Sequence, residues 1–553
     1  MTDSQATTPD TEAQYDFIIV GSGFGGSVSA LRLAEKGYSV LVVEEGKRWR
    51  AQDFPKTNWN IRKYLWIPRL GLAGIQRIDW LGDVLVLGGA GVGGGSLVYS
   101  NTLISPPAEA FAQGWPGGAG MWDKLAPHYQ TARRMLGATL PPATWPAEEH
   151  LRAFARSLGR EEHFVQPEVG VLFGSEGGKD VPDPYFGGQG PPRATCQLCG
   201  GCMVGCRHNA KNTLDKNYLF LAEKLGARIL PETRVTHLEP DQQGGGGYVV
   251  HTQRSLGWFA RSRLRLRALN VIVAAGAIGS VDLLLACKEK GFLPNLSAAV
   301  GQHTRTNSEI ICGARSRTAE VDHSQGIAIA SDVQADAETH IQIVRYPAGS
   351  GLMGLLGTLA APGGGRLPRP LRWLACCLRA PLDLLRNASP FGWAKRTVIL
   401  LVMQSLDSAL TLVRKRRWWL GRSLRSRRAA GTAPIPTYLP IANQAAKFVA
   451  ERLDGFALNA LNEVLLGVPI TAHVLGGARM AETPAQGVVG PDCRVFGHPG
   501  LWVVDGAVIP TNLGANPSLT ITAVAEYAMS LIPEKARAPA ADGGPSERDG
   551  TAS

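Results

Sequence analysis

Residues 15–46, YDFIIVGSGFGGSVSALRLAEKGYSVLVVEEG, constrain the fold more than any other stretch of the chain. An apolar run from Phe17 to Val20 meets G-x-G-x-x-G at Gly21, Gly23 and Gly26. Ala30, Leu31, Leu33 and Ala34 then recur at helical spacing, and Tyr38 to Val43 is apolar again. Strand, tight turn, helix, strand is the opening unit of a doubly wound α/β sheet. Gly21 makes the turn, Gly23 lets backbone approach a pyrophosphate, and Gly26 lets helix and strand pack closely. The helix N-terminus stabilises the phosphate charge. Glu44 stands at the end of the second strand, placed to accept from both ribose hydroxyls of an adenosine. Its charge disfavours a 2′-phosphate, so the expected ligand is a dinucleotide other than NADP.

The choice between FAD and NAD rests on later segments. LGGAGVGGGSLVYSNT, residues 87–102, leaves many backbone N–H groups free to lie against phosphates or a flat ring. VIVAAGAIGSVDLLLAC, residues 271–287, reads as a buried strand meeting Gly276 and Gly279 and then a helix. LWVVDGAVIPTNLGANPSLTITAVAEYA closes the set from residue 501.

From about Tyr15 to Ile532 this set resembles the glucose–methanol–choline (GMC) family of FAD-dependent oxidoreductases, and within it the bacterial cholesterol oxidase branch. GVGGGSLVY, AKNTLDKNYL (residues 210–219), HVLGG and VVDGAVIPTNLGANPSLTITAVAE carry the likeness. The resemblance implies that Gly21, Gly23, Phe24, Gly25, Gly26 and Glu44 hold the ADP half of FAD. Gly91, Gly93, Gly94, Gly95 and Ser96 would line phosphates and flavin, and Val235 would meet adenine through its backbone. Gly276, Asp505 and Gly506 would lie near the pyrophosphate, with Asn516, Pro517 and Ser518 at the pyrimidine end of the flavin. This chain has Tyr99 where cholesterol oxidases carry Asn.

Alcohol oxidation needs a group to take the hydroxyl proton, and imidazole suits that work near neutral pH. Periodicity cannot choose among eleven histidines, and His473 by itself reads equally as a core histidine. The resemblance implies His473 as proton acceptor and Asn516, further towards the C-terminus, as the group that orients the substrate. Cholesterol oxidases also isomerise their product with a Glu base. The matching stretch here, THIQIVRYPAG, places Gln342 there, and an amide cannot act as a carboxylate base. Oxidation is expected; isomerisation would need another acid such as Glu338.

CQLCGGCMVGC sets Cys196, Cys199, Cys202 and Cys206 at C-x2-C-x2-C-x3-C. This is a ferredoxin-like spacing, although Arg207 stands where ferredoxins carry Pro. An iron–sulfur cluster, zinc and unligated buried thiols all remain open. Nine cysteines, an odd number with four crowded together, disfavour a disulfide scaffold and point to a reducing compartment.

The net charge of +11 is local: residues 366–428 hold fifteen basic residues against Asp383 and Asp407. A globally basic nucleic-acid binder would not look like this, and no nucleic-acid partner is expected. Arg interleaved with Leu and Trp suits an anionic membrane surface, or else a basic surface hairpin packed on the body of the protein. The polar N-terminus lacks a basic and an apolar signal region, so a cytoplasmic enzyme, peripheral at the inner membrane face, is expected.

The expected architecture is α/β: a Rossmann-like FAD-binding domain from residues 1–105, 191–302 and 459–535, and an α+β substrate domain from 106–190 and 303–458. The latter is built on an antiparallel sheet, with TVILLVMQSL and SALTLVRK among its strands. Residues 536–553 read as a disordered tail. The expected reaction is FAD-dependent oxidation of a bulky apolar alcohol, a 3β-hydroxysteroid such as cholesterol, to the ketone. Oxygen or another carrier would take the electrons. The alternatives are an FAD/iron–sulfur dehydrogenase of another long-chain or terpenoid alcohol, and an electron-transferring flavoprotein.

Overall fold

The computed structural model describes residues 14–242, 246–257, 262–417, 421–429 and 431–536. The N-terminal segment before Gln14, the expected tail from residue 537 on and positions 418–420 of the basic segment lie outside the described residues.

Two seven-stranded sheets organise the molecule. In the first, Arg228–Leu230, Val40–Val43, Gln14–Val20 and Arg263–Val273 lie side by side in parallel, and Leu501–Val503 joins the far end of the last of these. Arg263–Val273 serves two neighbourhoods. Its first half pairs antiparallel with Tyr248–Arg254, which pairs with Thr233–Pro240, and its second half runs parallel to Gln14–Val20. Phe17 to Val20, Val40 to Val43 and Val271 to Val273 are buried, which is why these strands are continuously apolar rather than alternating. The helix Phe24–Glu35 packs against the last helix, Ser518–Ser530, and Arg32 pairs with the buried Glu526 at 2.7 Å. The first and last of the described helices thus share one core.

The second sheet is antiparallel, in the order Gly357–Leu359, Gly455–Ala460, Ile310–Ser316, Thr397–Gln404, Thr339–Val344, Asp332–Gln334 and Phe164–Val165. Strand alternation separates its faces. Ile310, Cys312, Ile341, Ile343, Leu400 and Val402 pack under the helices Pro146–Ser157 and Pro440–Arg452. Ile311, Gln342, Leu401 and Met403 belong to the opposite face, and Leu401 stands directly across from both Ile311 and Gln342.

TVILLVMQ is a central strand of this sheet, as expected. SALTLVRK is not part of it. Ala409–Arg417 pairs with Gly421–Arg428 and Thr304–Arg305 in a separate three-stranded sheet, and Leu410, Leu412 and Leu424 enter the core around the first sheet. The alternation of this strand is satisfied against a different partner, which its own pattern could not reveal.

Candidate active site

Three loop positions and one strand bring the reactive side chains together. His473 follows the two-residue strand Ile470–Thr471, Asn516 precedes the last helix, Glu309 precedes Ile310–Ser316, and Gln342 sits within Thr339–Val344. His473 Nδ1 lies 2.5 Å from Glu309 Oε1, and its Nε2 lies 3.3 Å from Asn516 Nδ2. Glu309 is buried and also accepts from Thr471 Oγ1 at 3.0 Å and from the Ala472 N–H at 2.8 Å. Asn516 Oδ1 accepts from Gln342 Nε2 at 2.9 Å, and the same Nε2 donates to Asp332 Oδ1 at 2.9 Å.

The direction of this chain follows from its ends. A carboxylate can only accept, so Asp332 fixes the Gln342 amide as donor, which fixes Asn516 Oδ1 as acceptor and its Nδ2 as donor to His473. Glu309 at the other end accepts from Nδ1–H, leaving Nε2 unprotonated, with its lone pair towards Asn516 Nδ2. Beyond Asp332, His340 Nδ1 lies 2.9 Å from Oδ2. Burial disfavours charge on His340, yet the Asp332 carboxylate outweighs it and raises its pKa above the ordinary value. Gln342 Oε1 is buried without a partner, a polar atom left for something that enters beside Asn516. Glu338 is exposed, at the turn between Asp332–Gln334 and Thr339–Val344, and does not reach this group.

Sequence reading missed Glu309 and Asp332. The signal for Glu309 was the run TRTNSE ahead of an apolar strand: polar, yet wholly buried here. Buried polar runs are uncommon unless they serve a site.

The nucleotide cradle lies next to this group. Ser518 Oγ donates to the Thr102 carbonyl at 3.1 Å, tying Asn516, Pro517 and Ser518 to the end of the second Gly-rich run. A Cβ on Gly23 would meet nothing within 4 Å, whereas one on Gly25 would stand 1.6 Å from the Val504 carbonyl oxygen and one on Gly26 would stand 2.1 Å from that of Gly21. Gly23 therefore faces open space, while Gly25 and Gly26 are required by packing. Gly21 (φ +97°), Gly91 (φ +137°), Gly93 (φ +106°) and Gly94 (φ +53°) take left-handed conformations, and Gly94 approaches Gly23 too closely for a side chain. Gly95 and Ser96 belong to the short turn that follows, where Ser96 Oγ donates to the Gly93 carbonyl at 2.7 Å.

Glu44 is buried. Its Oε2 takes Ser22 N–H at 3.1 Å and Oγ at 2.7 Å, and its Oε1 takes Gly46 N–H at 2.8 Å and Gly91 N–H at 3.3 Å. The carboxylate thereby locks the two glycine turns together, with burial raising its pKa. Burial likewise pushes Asp505 up to about 6; it accepts from Ser280 Oγ at 2.5 Å and from the Ala507 N–H, next to Gly506, at 2.8 Å. Gly276 opens the helix after Arg263–Val273 with open space where a Cβ would be, and Val235 lies buried at a bulge in Thr233–Pro240. A bare Gly23 cradle, two helix N-termini and a buried acid at the end of Val40–Val43 fit a dinucleotide. Tyr99 packs edge-on to Phe24 at 5.5 Å and reaches the Asn212 carbonyl at 3.3 Å, so its ring occupies the cradle wall.

Cys196, Cys199, Cys202 and Cys206 line one cavity of about 440 Å³ behind the Gly-rich loop. The basic segment splits in two. Arg414 pairs with Asp282 at 2.6 Å and Arg422 with Glu289 at 2.6 Å, anchoring the hairpin to the body. The helices Arg369–Arg379 and Pro381–Ala388 instead expose Leu371, Leu374, Leu378 (74%), Leu382 and Leu385, with Phe391 (83%) beyond them. Among the described residues no helix is long and apolar enough to cross a membrane.

Two family models described as GMC oxidoreductase match residues 192–302 and 436–525, and one described as an NAD(P)-binding Rossmann-like domain matches 19–55. A cholesterol oxidase of Acinetobacter baumannii is 44% identical over 94% of this chain and 95% of its own length. One of Mycobacterium tuberculosis is 47% identical over 94% of this chain and 91% of its own length. Among solved structures, pyridoxine 4-oxidase from Mesorbium loti (TM-score 0.55, 15% identity, covering 94% of this chain and 99% of that one) shares the fold. So does a fungal aryl-alcohol oxidase (TM-score 0.54, 17% identity, 94% and 98%).

Proposed function

This chain belongs to the GMC oxidoreductase family and is an FAD-dependent alcohol oxidoreductase, and we propose that its substrate is a 3β-hydroxysteroid of the cholesterol type, oxidised to the ketone with oxygen as acceptor. The observation that carries the reading is the directional chain Glu309–His473–Asn516–Gln342 beside an apolar sheet face. Bound FAD supplies the hydride acceptor. Gly21, Gly23, Gly26, Gly94, Glu44 and Asp505 would hold it, with the 516–518 turn at its pyrimidine end.

His473 Nε2 takes the hydroxyl proton, because Glu309 keeps the other ring nitrogen protonated and steadies the imidazolium that forms. Gln342 keeps the Asn516 amide from rotating, so that Nδ2 faces His473 with one N–H and offers the other to the substrate oxygen. Ile311, Leu401 and Met403 would offer a fused apolar ring system its apolar contacts, with Gln342 the polar group on the same face. Identity of 44–47% over nearly the whole length of proteins named cholesterol oxidase supports the sterol.

The exposed leucines of 369–388 and Phe391, with Arg366, Arg372 and Arg379 among them, form the surface that meets an anionic membrane where the sterol resides, at the cytoplasmic side.

An anaerobic visible spectrum tests the reading. Cholesterol in detergent should bleach the flavin bands of the wild type and leave those of His473→Ala unchanged with FAD still bound. Bleaching by a long-chain primary alcohol but not by cholesterol would replace the sterol. Alcohol turnover undiminished in His473→Ala would overturn the catalytic assignment, and wild-type flavin that neither alcohol bleaches would favour an electron-transferring flavoprotein.

A further inference from the structure

We propose that Cys196, Cys199, Cys202 and Cys206 hold a [4Fe–4S] cluster beside the flavin loop. Spacing alone left open whether one loop could present all four thiols to one centre. The structure turns all four into a single cavity, none of them in a disulfide. The loop wraps because Leu198 (φ +53°), Gly200 (φ +67°) and Gly205 (φ +78°) take left-handed conformations. A Cβ on Gly200 would stand 2.4 Å from the Ser324 carbonyl oxygen, and one on Gly205 would stand 2.2 Å from the Phe54 ring. Small residues are therefore forced where the loop closes around the cavity.

The spread of the sulfurs disfavours zinc. Tetrahedral zinc with Zn–S near 2.3 Å holds its thiolates roughly 3.8 Å apart. Among the described residues no three of these cysteine sulfurs lie mutually within 4.8 Å. In an iron–sulfur cube each thiolate binds a different iron, so the ligands stand farther apart, and the cavity of about 440 Å³ has room for such a core. The charges agree: among the described residues Lys56, Arg207, His208 and Lys211 line the cavity and no carboxylate does, which suits an anionic thiolate cluster. The Leu198 N–H already points at Cys196 Sγ, 3.4 Å away, the type of contact that tunes cluster potentials.

Lys211 fixes the position relative to the flavin. Its buried Nζ donates to the carbonyls of Leu97 (3.1 Å), Tyr99 (2.8 Å) and Cys202 (2.8 Å), so the cysteine loop and the Gly-rich loop share one ammonium. The cluster therefore lies where it can pass single electrons from reduced FAD to a one-electron acceptor at the surface. Oxidation of one alcohol to the ketone releases two electrons and two protons. Two equivalents of acceptor are reduced, and the protons go to solvent.

The relay rests on the FAD reading above; the cluster does not. Full-length protein purified anaerobically, or reconstituted with ferrous iron and sulfide, is assayed for iron, acid-labile sulfide and FAD. Low-temperature EPR after dithionite follows. About four irons and four sulfides per chain are expected, with a reduced-cluster signal. Cys199→Ser and Cys206→Ser should lose both and keep FAD and sterol-driven oxygen consumption. Stoichiometric zinc, or iron-free protein after reconstitution with all four thiols open to titration, would overturn the cluster. Equal rates of sterol-dependent ferricyanide reduction in the wild type and Cys199→Ser would overturn the relay.

Discussion

Glu309 Oε1 and His473 Nδ1 lie 2.5 Å apart, the carboxylate buried and the imidazole at the edge of the nucleotide cradle. The pair sets which ring nitrogen is free. In Glu309→Gln an amide N–H would face Nδ1 and force the proton to Nε2, removing the base. A fall in kcat of about 10³-fold or more is expected, with KM little changed, by the logic of wrong-tautomer variants. Stopped-flow flavin reduction checks it, and a kcat within about threefold of the wild type would remove Glu309 from the mechanism.

Gln342 donates to two acceptors with one nitrogen, Asp332 and Asn516. Gln342→Glu places a carboxyl between two oxygens, so it must stay protonated or expel Asn516 from its place. Slower oxidation is expected, about 10-fold or more, with a pH optimum shifted to lower pH, where the carboxyl keeps its proton. In the wild type the amide has no base to offer, so the released sterol ketone should be unconjugated. Ultraviolet absorbance of the conjugated enone measures this, and enone formed at the rate of oxidation would locate an isomerase base elsewhere.

Leu374 and Leu378 project from the helix Arg369–Arg379 away from the body. Leu374→Asp/Leu378→Asp should keep its melting temperature and its turnover of detergent-dispersed sterol. Binding to vesicles with anionic lipid should drop about 10-fold or more, since two apolar side chains leave the interface and two negative charges enter it. Cosedimentation at rising salt reads the basic contribution as well.

The first sheet and its glycine turns were legible because each residue there obeys a local rule. Gly21 needs its φ, Gly26 its contact, and Val40–Val43 its two buried faces. His473 and Asn516 were legible only through family likeness, since nothing within TAHVLGG separates a base from a core histidine. Glu309 is remote from His473 along the chain, as Asp332 is from Asn516. A side-chain contact joins the first pair, and strand pairing of Asp332 with Gln342 joins the second through that amide, not a spacing that the chain displays. Composition averages over the basic segment, so the sequence left both readings of it open. Arg414 and Arg422 find acids on the body, whereas Leu371, Leu374, Leu378, Leu382 and Leu385 stay exposed.

Glu463, in the short helix Leu461–Leu465, carries a pH dependence that belongs to folding and not to catalysis. Its Oε1 accepts from the Ile311 N–H at 3.3 Å, its Oε2 has no partner, and the residue is 1% exposed. Burial pushes its carboxyl up from 4.5 to about 8, against the opposing pull of the Ile311 N–H and Arg369. Between these values the folded chain holds a proton that the unfolded chain has released. The stability it contributes is therefore complete below pH 4.5 and lost as pH rises through 8. At about 1.4 kcal/mol per pKa unit the swing amounts to a few kcal/mol. Glu463→Gln keeps the shape and cannot ionise, so it should match the wild type in thermal stability near pH 5 and exceed it clearly at pH 9. Calorimetric melts at the two pH values decide: parallel profiles would mean that Glu463 is solvated or paired in solution, and a widening gap that the buried carboxyl is charged against its surroundings.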